Sequence, residues 1–596
     1  MKLNMLDNYK GEDLKNFNKI KKDPRLHNLS EVSLRVMYNR GLKTVEDIEK
    51  HMFGNIKHTY DPKLLPDCDK FCEIVKDSIQ NNELIINYTD YDVDGISSSV
   101  VCLNGINKLI KLSGSTSKID WFANNRFEEG YGMTVGGVEE LVSKHPDVKL
   151  IITTDNGIVA FDAIEKCNEL GIKVLITDHH RTLVVDGEEK LPNAAAVVNP
   201  HRLDSKYPFR EICGTTVIFK LMVALATKMG YNEELMYDLL DLVCMATIGD
   251  MMPLLDENRI FIKEGIRYTK DETRPAFKAL RKGLETFAKN NGKTRIVNVD
   301  EELFGFTYCP MLNSLGRLQG SIDKAMELFL IDDEIKMDAL VQEIILNNED
   351  RKRYTEEQTA MAIEKIEKMD ELPDVLVVYD PEFMEGIVGL IAGRLKERYN
   401  RPSIAFANNG DGILKGSARS IDDVNMIESL LTLPEGIIEK CGGHPGAAGL
   451  AIKEVNLEEF EKAICTEIVL TEEQKEKVIN IDAAFEVNNI TEELIDGINA
   501  LKPFGQNFEK PRFGLQKFIA DIPLSGNPYR GADKATIRLV NNEGFTVIMF
   551  KNPESFEAIE HKFEDKEEIK CIGYPSINVF NNKTSLQFQV EEGLMF

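Results

Sequence analysis

With 596 residues, 43% of them hydrophobic and 29% charged, the chain is too long for one core and ordinary for a soluble globular protein; roughly three to five domains are expected. Its net charge of −27, from 99 acidic and 72 basic side chains, argues against a protein that coats duplex nucleic acid through a general positive field, though not against an enzyme with a local cationic groove. There is no run of about 18 apolar residues to span a membrane, and MKLNMLDNYKGEDLKNF lacks the apolar segment of a signal peptide, so a cytoplasmic protein with no membrane partner is expected.

Residues 1–60 read as short helices, Leu29–Leu42 being the most amphipathic. From there the pattern becomes strand, loop, helix. The apolar runs Leu84–Tyr88, Leu150–Thr154, Lys173–Thr177 and Ala194–Asn199 alternate with helical stretches such as Ile158–Leu170, which predicts an α/β domain with a mostly parallel sheet over 61–265. Thr215–Gly230 and Leu235–Gly249 are apolar over much of their circumference and should be buried helices. A helical region, 266–370, begins with the basic run Lys270–Arg295, eight Lys/Arg against three Asp/Glu, which a solvated helix face explains as well as a nucleic-acid contact does. It ends in Asp333–Met369, which has neither Gly nor Pro. As one helix this would be about 55 Å long, a connector between domains rather than a core element. A second α/β unit is expected over 371–470. Five strand-like runs between Arg512 and Val590 (Arg512–Ile522, Ala535–Val540, Phe545–Phe550, Ile569–Tyr574, Ser585–Val590) predict an OB-like β-barrel over 480–596. The ten cysteines are scattered; the closest pair, Cys68 and Cys72, has no second pair to complete a zinc site, and reduced thiols are expected.

The chemistry concentrates where the strands end. NYTDYDVDGISSS places Asp90, Asp92 and Asp94 at alternating positions, where like charges repel unless a cation lies between them. The second strand runs into TDNG (Thr154–Gly157) and the third into TDHH (Thr177–His180), while ATIGDMMPL sets Asp250 just past a buried helix. Each aspartate alone is more simply a cap or a turn residue. Three such sites on one edge of a parallel sheet, the edge at which α/β proteins bind ligands, point instead to a metal centre. Carboxylates with imidazole suit Mn²⁺, with Mg²⁺ possible; two ions about 4 Å apart would neutralise the row.

DYDVDG, TTDNG, TDHH and ATIGD, in this order, resemble the four motifs of the DHH phosphoesterases. DPKLLPDCDK (Asp61–Lys70), NRFEEGYG (Asn125–Gly132), LNSLGRL (Leu312–Leu318) and LKPFGQNFEKPRF (Leu501–Phe513) extend the resemblance to the RecJ exonucleases. EGIVGLIAGRLKERYNRP (Glu385–Pro402), GSARS (Gly416–Ser420) and GGHPGAAG (Gly442–Gly449) resemble the DHH-associated domain. The resemblance implies that Asp155 bridges two metals, that Asp92 holds one ion and Asp94, His179 and Asp250 the other, and that Asp90 contributes directly or through water. It implies further that His180 faces the scissile phosphate. One departure is Tyr88, where many DHH enzymes carry a histidine.

Substrate contacts are expected from Arg126, Asn313, Arg317, Arg419, Ser420, Gly443 and His444, the arginines offering planar forks to phosphate oxygens and the glycines a close backbone approach. A surface ion pair is the commoner role for a single arginine, and a tight packing turn for the glycine-rich motif. The resemblance implies a hydrolase: a monomeric, metal-dependent 5′-to-3′ exonuclease on single-stranded DNA with a 5′ end, releasing 5′-mononucleotides in DNA repair or recombination. A single-strand-binding protein or helicase would be its partner. The alternatives are a DHH phosphodiesterase on short oligonucleotides or cyclic dinucleotides, and a non-catalytic replication scaffold. The OB-like region favours the first over the second, and the intact carboxylates and both histidines weigh against the scaffold.

Overall fold

The computed structural model describes residues 2–595 apart from 272, 294–296, 409, 522–527, 531–535, 551–553 and 581–582. Two compact units result. One gathers Met1–His58, Leu254–Arg259 and Val478–Phe596; the other comprises Thr59–Pro253 and Ile260–Lys477.

In the larger unit the apolar run at Leu84 becomes the strand Leu84–Thr89, flanked in parallel by Lys118–Ala123 and Val148–Thr154; Lys173–Thr177 and Ala196–Val198 complete a five-stranded parallel sheet. Four of these strands were legible as apolar runs. The fifth, Lys118–Ala123, was missed because it is an edge strand with mostly half-exposed or exposed side chains, so it lacks the continuous apolar signature of a doubly covered strand. One face of the sheet packs Ile86, Tyr88, Ile151 and Ile176 against Val138, Leu141 and Ile164 of the helices Val135–Lys144 and Phe161–Glu169. The other carries the helix Val93–Ser113, which packs on the buried helices Gly214–Lys228 and Leu240–Gly249. The predicted helix from Leu235 is in fact split: Glu233–Leu239 is a 3₁₀ helix that leads into Leu240–Gly249.

The long helix runs over Glu334–Glu367 and is more than a connector. Its first half buries Met337, Val341 and Ile344, with Val341 against Gly283, while Ala362 and Ile366 join a core with Leu376, Ile391 and Ala405 of the second α/β domain. That domain is a mixed sheet in the order Ile438–His444, Ala447–Lys453, Ile413–Arg419, Ser403–Asn408, Leu376–Tyr379, with only the last pair parallel. Within the basic run 270–295, Glu272, Thr294 and Arg295 lie outside the described residues; most of the remainder forms the helix Pro275–Asn290, which buries Phe277, Leu280 and Leu284 and packs on the long helix.

The smaller unit opens with a strand, Lys2–Met5, where short helices were expected; it pairs in parallel with Val478–Ile481. Its side chains are all exposed and its polar–apolar alternation covers only four residues, too few to mark a strand, and the pairing is supplied by a segment more than 470 residues away. The C-terminal strands Phe513–Ile519, Glu568–Phe580, Lys583–Met595, Thr546–Phe550 and Thr536–Val540 follow one another in space, and a bridge from Asp521 N–H to Val540 C=O at 2.8 Å joins the last to the first. Five strands so closed form an OB-type barrel. Ile522 and Ala535, the ends of two expected strands, lie outside the described residues. Arg259, 1% exposed, donates to the carbonyls of His51, Leu501, Lys502 and Pro503 at 2.7–3.0 Å, so its buried charge and four main-chain acceptors satisfy one another. All ten cysteines are free thiols. Among the described residues no helix is long and apolar enough to cross a membrane.

Candidate metal centre

Two helix N-termini and three strand ends build the site. Asp90 follows the first strand and is buried. Asp92 caps the helix Val93–Ser113, one carboxylate oxygen accepting from the Asp94 and Gly95 amides at 2.9 and 3.0 Å. The capping role is therefore real, and it also aims the side chain. Asp94 turns to the other helix: its oxygens accept from the Gly214 and Thr215 amides at 2.7 and 2.8 Å and from the Thr215 hydroxyl at 2.6 Å. Both carboxylates thus lie in the positive field of a helix N-terminus. Asp155 ends the Val148–Thr154 strand with φ of +60°, a left-handed conformation that Asp tolerates better than most residues, and Gly214 packs against its side chain. Asp250 is the C-cap of Leu240–Gly249.

These side chains converge. The ligand atoms of Asp90, Asp92 and Asp155 lie within 4.8 Å of one another, as do those of Asp94, His179 and Asp250, and those of Asp155, His179 and His180. His179 Nε2 is 3.1 Å from Asp155 Oδ1 and 3.5 Å from Asp250 Oδ2, and all three of these atoms are buried without a hydrogen-bond partner. Buried polar atoms are rarely orphaned, and three aimed at one point fit a bound cation. The electrostatics agree. Burial, then Asp92, pushes Asp90 up to about 8. Burial and the neighbouring aspartates likewise raise Asp92, Asp155 and Asp250, the last two well above the usual carboxylate range. Burial, reinforced by His180, holds His179 down at about 4, the neutral form that ligates metals.

His180 differs. Its ring is 44% exposed, and Nδ1 lies 2.7 Å from Asp178. Burial works to discharge it, but Asp178 outweighs burial and raises it to about 9. Asp178 is itself held at about 2, burial notwithstanding, by His180, His179 and hydrogen bonds that include the His180 amide. The Tyr131 hydroxyl also reaches the His180 ring, at 3.1 Å. Asp178 and Tyr131 were not singled out in the sequence, although both lie inside quoted motifs; only contact with His180 marks them. Tyr88 points away from the site into the core beside Phe122, its hydroxyl bonded to Asn124, so Asp90, Asp92 and Asp155 are left as the first group.

Of the expected substrate residues, Arg126, Arg317 and Arg419 are brought together. Burial, then Arg126, Arg419 and Arg351, pushes Arg317 down to about 10, and burial with Arg126 lowers Arg419. Arg126 lies over the Tyr91 ring at 4.8 Å, and Arg419 donates to Ser417 Oγ and the Ala418 carbonyl. Among the described residues none of the three pairs with a carboxylate. His444 is lowered by burial and then by Arg419 and His180, and it accepts from the Gly446 amide through Nδ1 at 3.3 Å, which leaves Nε2 for a ligand. Gly443 has φ of +150° and stands so close to Ala447 and Ala448 that no β-carbon fits. Two residues have internal tasks: Asn313 Oδ1 accepts from the Val93 amide at 2.8 Å and so holds the first motif, and Ser420 donates to the Val424 carbonyl at 2.8 Å.

A parallel sheet whose C-terminal edge gathers four such motifs defines a DHH-type protein. Residues 84–247 match the DHH family N-terminal domain, 373–469 the DHHA1 domain and 481–592 the RecJ OB domain. The chain is 32% identical over 563 residues to the single-stranded-DNA-specific exonuclease RecJ of Bacillus subtilis, covering 94% of this chain and 67% of that one. It is 31% identical to the RecJ of Dickeya dadantii, covering 94% and 95%, and 33% identical to that of Escherichia coli, covering 80% and 82%. The chain belongs to the RecJ family. Its fold resembles that of Thermus thermophilus RecJ in complex with Mn²⁺, with a TM-score of 0.77 at 21% identity over 99% of this chain and 79% of that one. A second solved structure, an exonuclease RecJ bound to manganese, gives a TM-score of 0.55 at 27% identity over 67% and 94%.

Proposed function

We propose that this chain is a metal-dependent exonuclease that hydrolyses single-stranded DNA from its 5′ end and releases 5′-mononucleotides. The observation that carries the reading is the convergence of the carboxylate and histidine ligand atoms, three of them buried and orphaned, beside three arginines that form no ion pair among the described residues. The substrate class follows the relatives, which are named as single-stranded-DNA-specific exonucleases. The donor set suits Mn²⁺ or Mg²⁺, and one related structure is described as bound to manganese. Asp90, Asp92 and Asp155 would hold one ion; Asp155, Asp94, His179 and Asp250 the other. Such a pair, when bound, supplies an activated water and positive charge at the phosphoryl and leaving oxygens.

The chain's own residues do the rest. Asp178 fixes the His180 ring, which donates a hydrogen bond to the scissile phosphate. Arg126, Arg317 and Arg419, with the Gly443 backbone and His444, take the terminal phosphate through charge-assisted bonds. Asn313 and Ser420 act by positioning the first motif and the GSARS turn. Cleavage on the 3′-oxygen side of the first nucleotide releases a 5′-mononucleotide and leaves a new 5′-phosphate on the strand. Each turnover therefore regenerates the group that the arginines bind, which is the physical argument for 5′-to-3′ polarity. The barrel would add stacking and backbone contacts along a long strand. The reading carries with it a cytoplasmic monomer acting in repair or recombination on strands opened by a helicase or held by a single-strand-binding protein. The RecJ OB domain favours long strands over short oligonucleotides or cyclic dinucleotides, and the complete donor set disfavours a non-catalytic scaffold.

The test is a 5′-labelled long single strand against a dinucleotide, with Mn²⁺. The long strand should be degraded faster, and Arg126→Ala should narrow the rate gap between 5′-phosphorylated and 5′-hydroxyl strands. Degradation of a 5′-blocked strand as fast as a free one would overturn the reading.

A further inference from the structure

The long helix Glu334–Glu367 carries a polar stripe that the chemistry above leaves unused. Asn347 donates to Ser314 Oγ at 2.8 Å and accepts from Gln319 at 2.9 Å; three turns on, Gln358 donates to the Glu382 carbonyl and accepts from the Met384 amide, both at 3.1 Å. Arg351 stands between them, one turn past Asn347 on the same side of the helix. It therefore faces the junction between the helix Cys309–Leu318 and the segment 382–388, where Gly386 presses so closely on Arg317 that a β-carbon would sit 1.8 Å from its carbonyl oxygen.

Arg351 donates to Asn348 Oδ1 at 2.7 Å, but its Nε is buried without a partner. Arg394, exposed on the neighbouring helix Val388–Tyr399, adds to burial in lowering Arg351, and Arg351 in turn adds to the repulsion on Arg317. The nearby carboxylates are engaged: Glu349 with Lys352 at 2.7 Å, Asp350 with Arg353 at 3.0 Å, and Glu385 with Lys415 at 3.1 Å. Among the described residues neither Arg351 nor Arg394 forms an ion pair. Partly buried cations set side by side repel one another unless an anion completes the set.

Hydrolysis of a monophosphorylated end occupies only the pocket of Arg126, Arg317 and Arg419. We propose that Arg351 and Arg394, beside Arg317, form a second anion subsite for phosphate groups attached beyond the terminal one, so that a strand ending in a 5′-di- or triphosphate is a ligand in its own right. This rests on the terminal-phosphate reading of the three-arginine pocket. The same phosphate chemistry could come from one more nucleotide threaded past the metal centre, and the experiment separates the two sources.

With Mn²⁺ present, strands bearing 5′-hydroxyl, 5′-monophosphate and 5′-triphosphate ends are compared as competitors of a labelled 5′-monophosphate strand, using the wild type, Arg394→Gln and Arg351→Gln/Arg394→Gln. The triphosphate should compete about tenfold more tightly than the monophosphate in the wild type. Both variants should shrink that gap while leaving KM for the monophosphate strand within about twofold; Arg394→Gln, at an exposed position, keeps the test if the double variant does not fold. Equal competition by mono- and triphosphate ends, or an equal loss for both in the variants, would overturn the second subsite alone. So would dinucleotide products from a monophosphate strand that vanish in the variants, since these mark a threaded nucleotide. Failure to distinguish 5′-phosphate from 5′-hydroxyl would instead overturn the terminal pocket.

Discussion

Asp155 is the residue on which the site turns. It is held in a left-handed backbone conformation, and its Oδ1 has no hydrogen-bond partner although it is buried beside His179. A carboxylate that belongs to two of the three ligand clusters should be the hardest to replace. Asp155→Asn, which keeps the shape and the conformational tolerance, should lower turnover on the order of 10³-fold or more. It should also melt no lower than the metal-free wild type, because it removes one of the mutually repelling charges; a variant with near-wild-type turnover would refute the shared role. The same repulsion has a pH signature. Asp90 moves from an ordinary 3.8 up to about 8 in the folded protein, so between those values the folded state keeps a proton that the unfolded chain has released. Without metal, stability should therefore fall as pH rises from about 4 to about 8. Saturating Mn²⁺ should remove or reverse that slope, because cations favour the ionised form. Denaturant midpoints across this range, with and without Mn²⁺, measure both.

Among the elements, the junction between the helix Cys309–Leu318 and the segment 382–388 sets the spacing of the two sides of the substrate crevice. Gly316 lies against the Tyr91 carbonyl and Gly386 against the Arg317 carbonyl, backbone to backbone, with no flexible side chain to give way. Gly386→Ala must push these elements apart. It should cut kcat/KM for a 5′-phosphorylated strand by about 10²-fold, the cost of a misplacement near 1 Å, with little change in secondary structure. An unchanged kcat/KM would show that the junction does not set the position of Arg317. The long helix belongs to the same argument: it is packed into cores at both ends, so it holds this spacing rigidly instead of acting as a tether.

At the scale of the whole molecule, the pairing of Lys2–Met5 with Val478–Ile481, and the bonds from Asn39 and Arg40 to Asp482, make the first residues and the C-terminal region one folding unit. Removing 478–596 alone would strand the apolar side of the N-terminal helices, including Val36 and Met37, and such a chain should aggregate. A chain of residues 59–477 should stay monodisperse. It should hydrolyse a dinucleotide at nearly the full rate while binding a long single strand at least about tenfold more weakly, since stacking and backbone contacts add along the strand. Light scattering and a binding titration check this, and equal losses on both substrates would make the smaller unit a folding support instead.

The parallel order of four strands, the buried helices, the long helix and the carboxylate-bearing strand ends were legible because each leaves a local trace: an apolar run of strand length, a helical period, or metal-capable side chains at the edge where such sheets bind ligands. What had no local trace needed the tertiary structure. The strands Lys2–Met5 and Lys118–Ala123 are exposed or at a sheet edge and are defined by distant partners; their polar–apolar alternation spans only about four residues each, too short to tell them from loop. Asp178 is not singled out until the fold sets His180 on it, and Asn313, expected at the substrate, accepts instead from the Val93 amide. Tyr88 stands where many DHH enzymes carry a histidine, and the structure places it in the core, away from the site. Side-chain chemistry is written residue by residue. Which orphaned atoms face one another, and which arginines gather without an ion pair among the described residues, depends on contacts between segments far apart in the chain, and packing alone decides those.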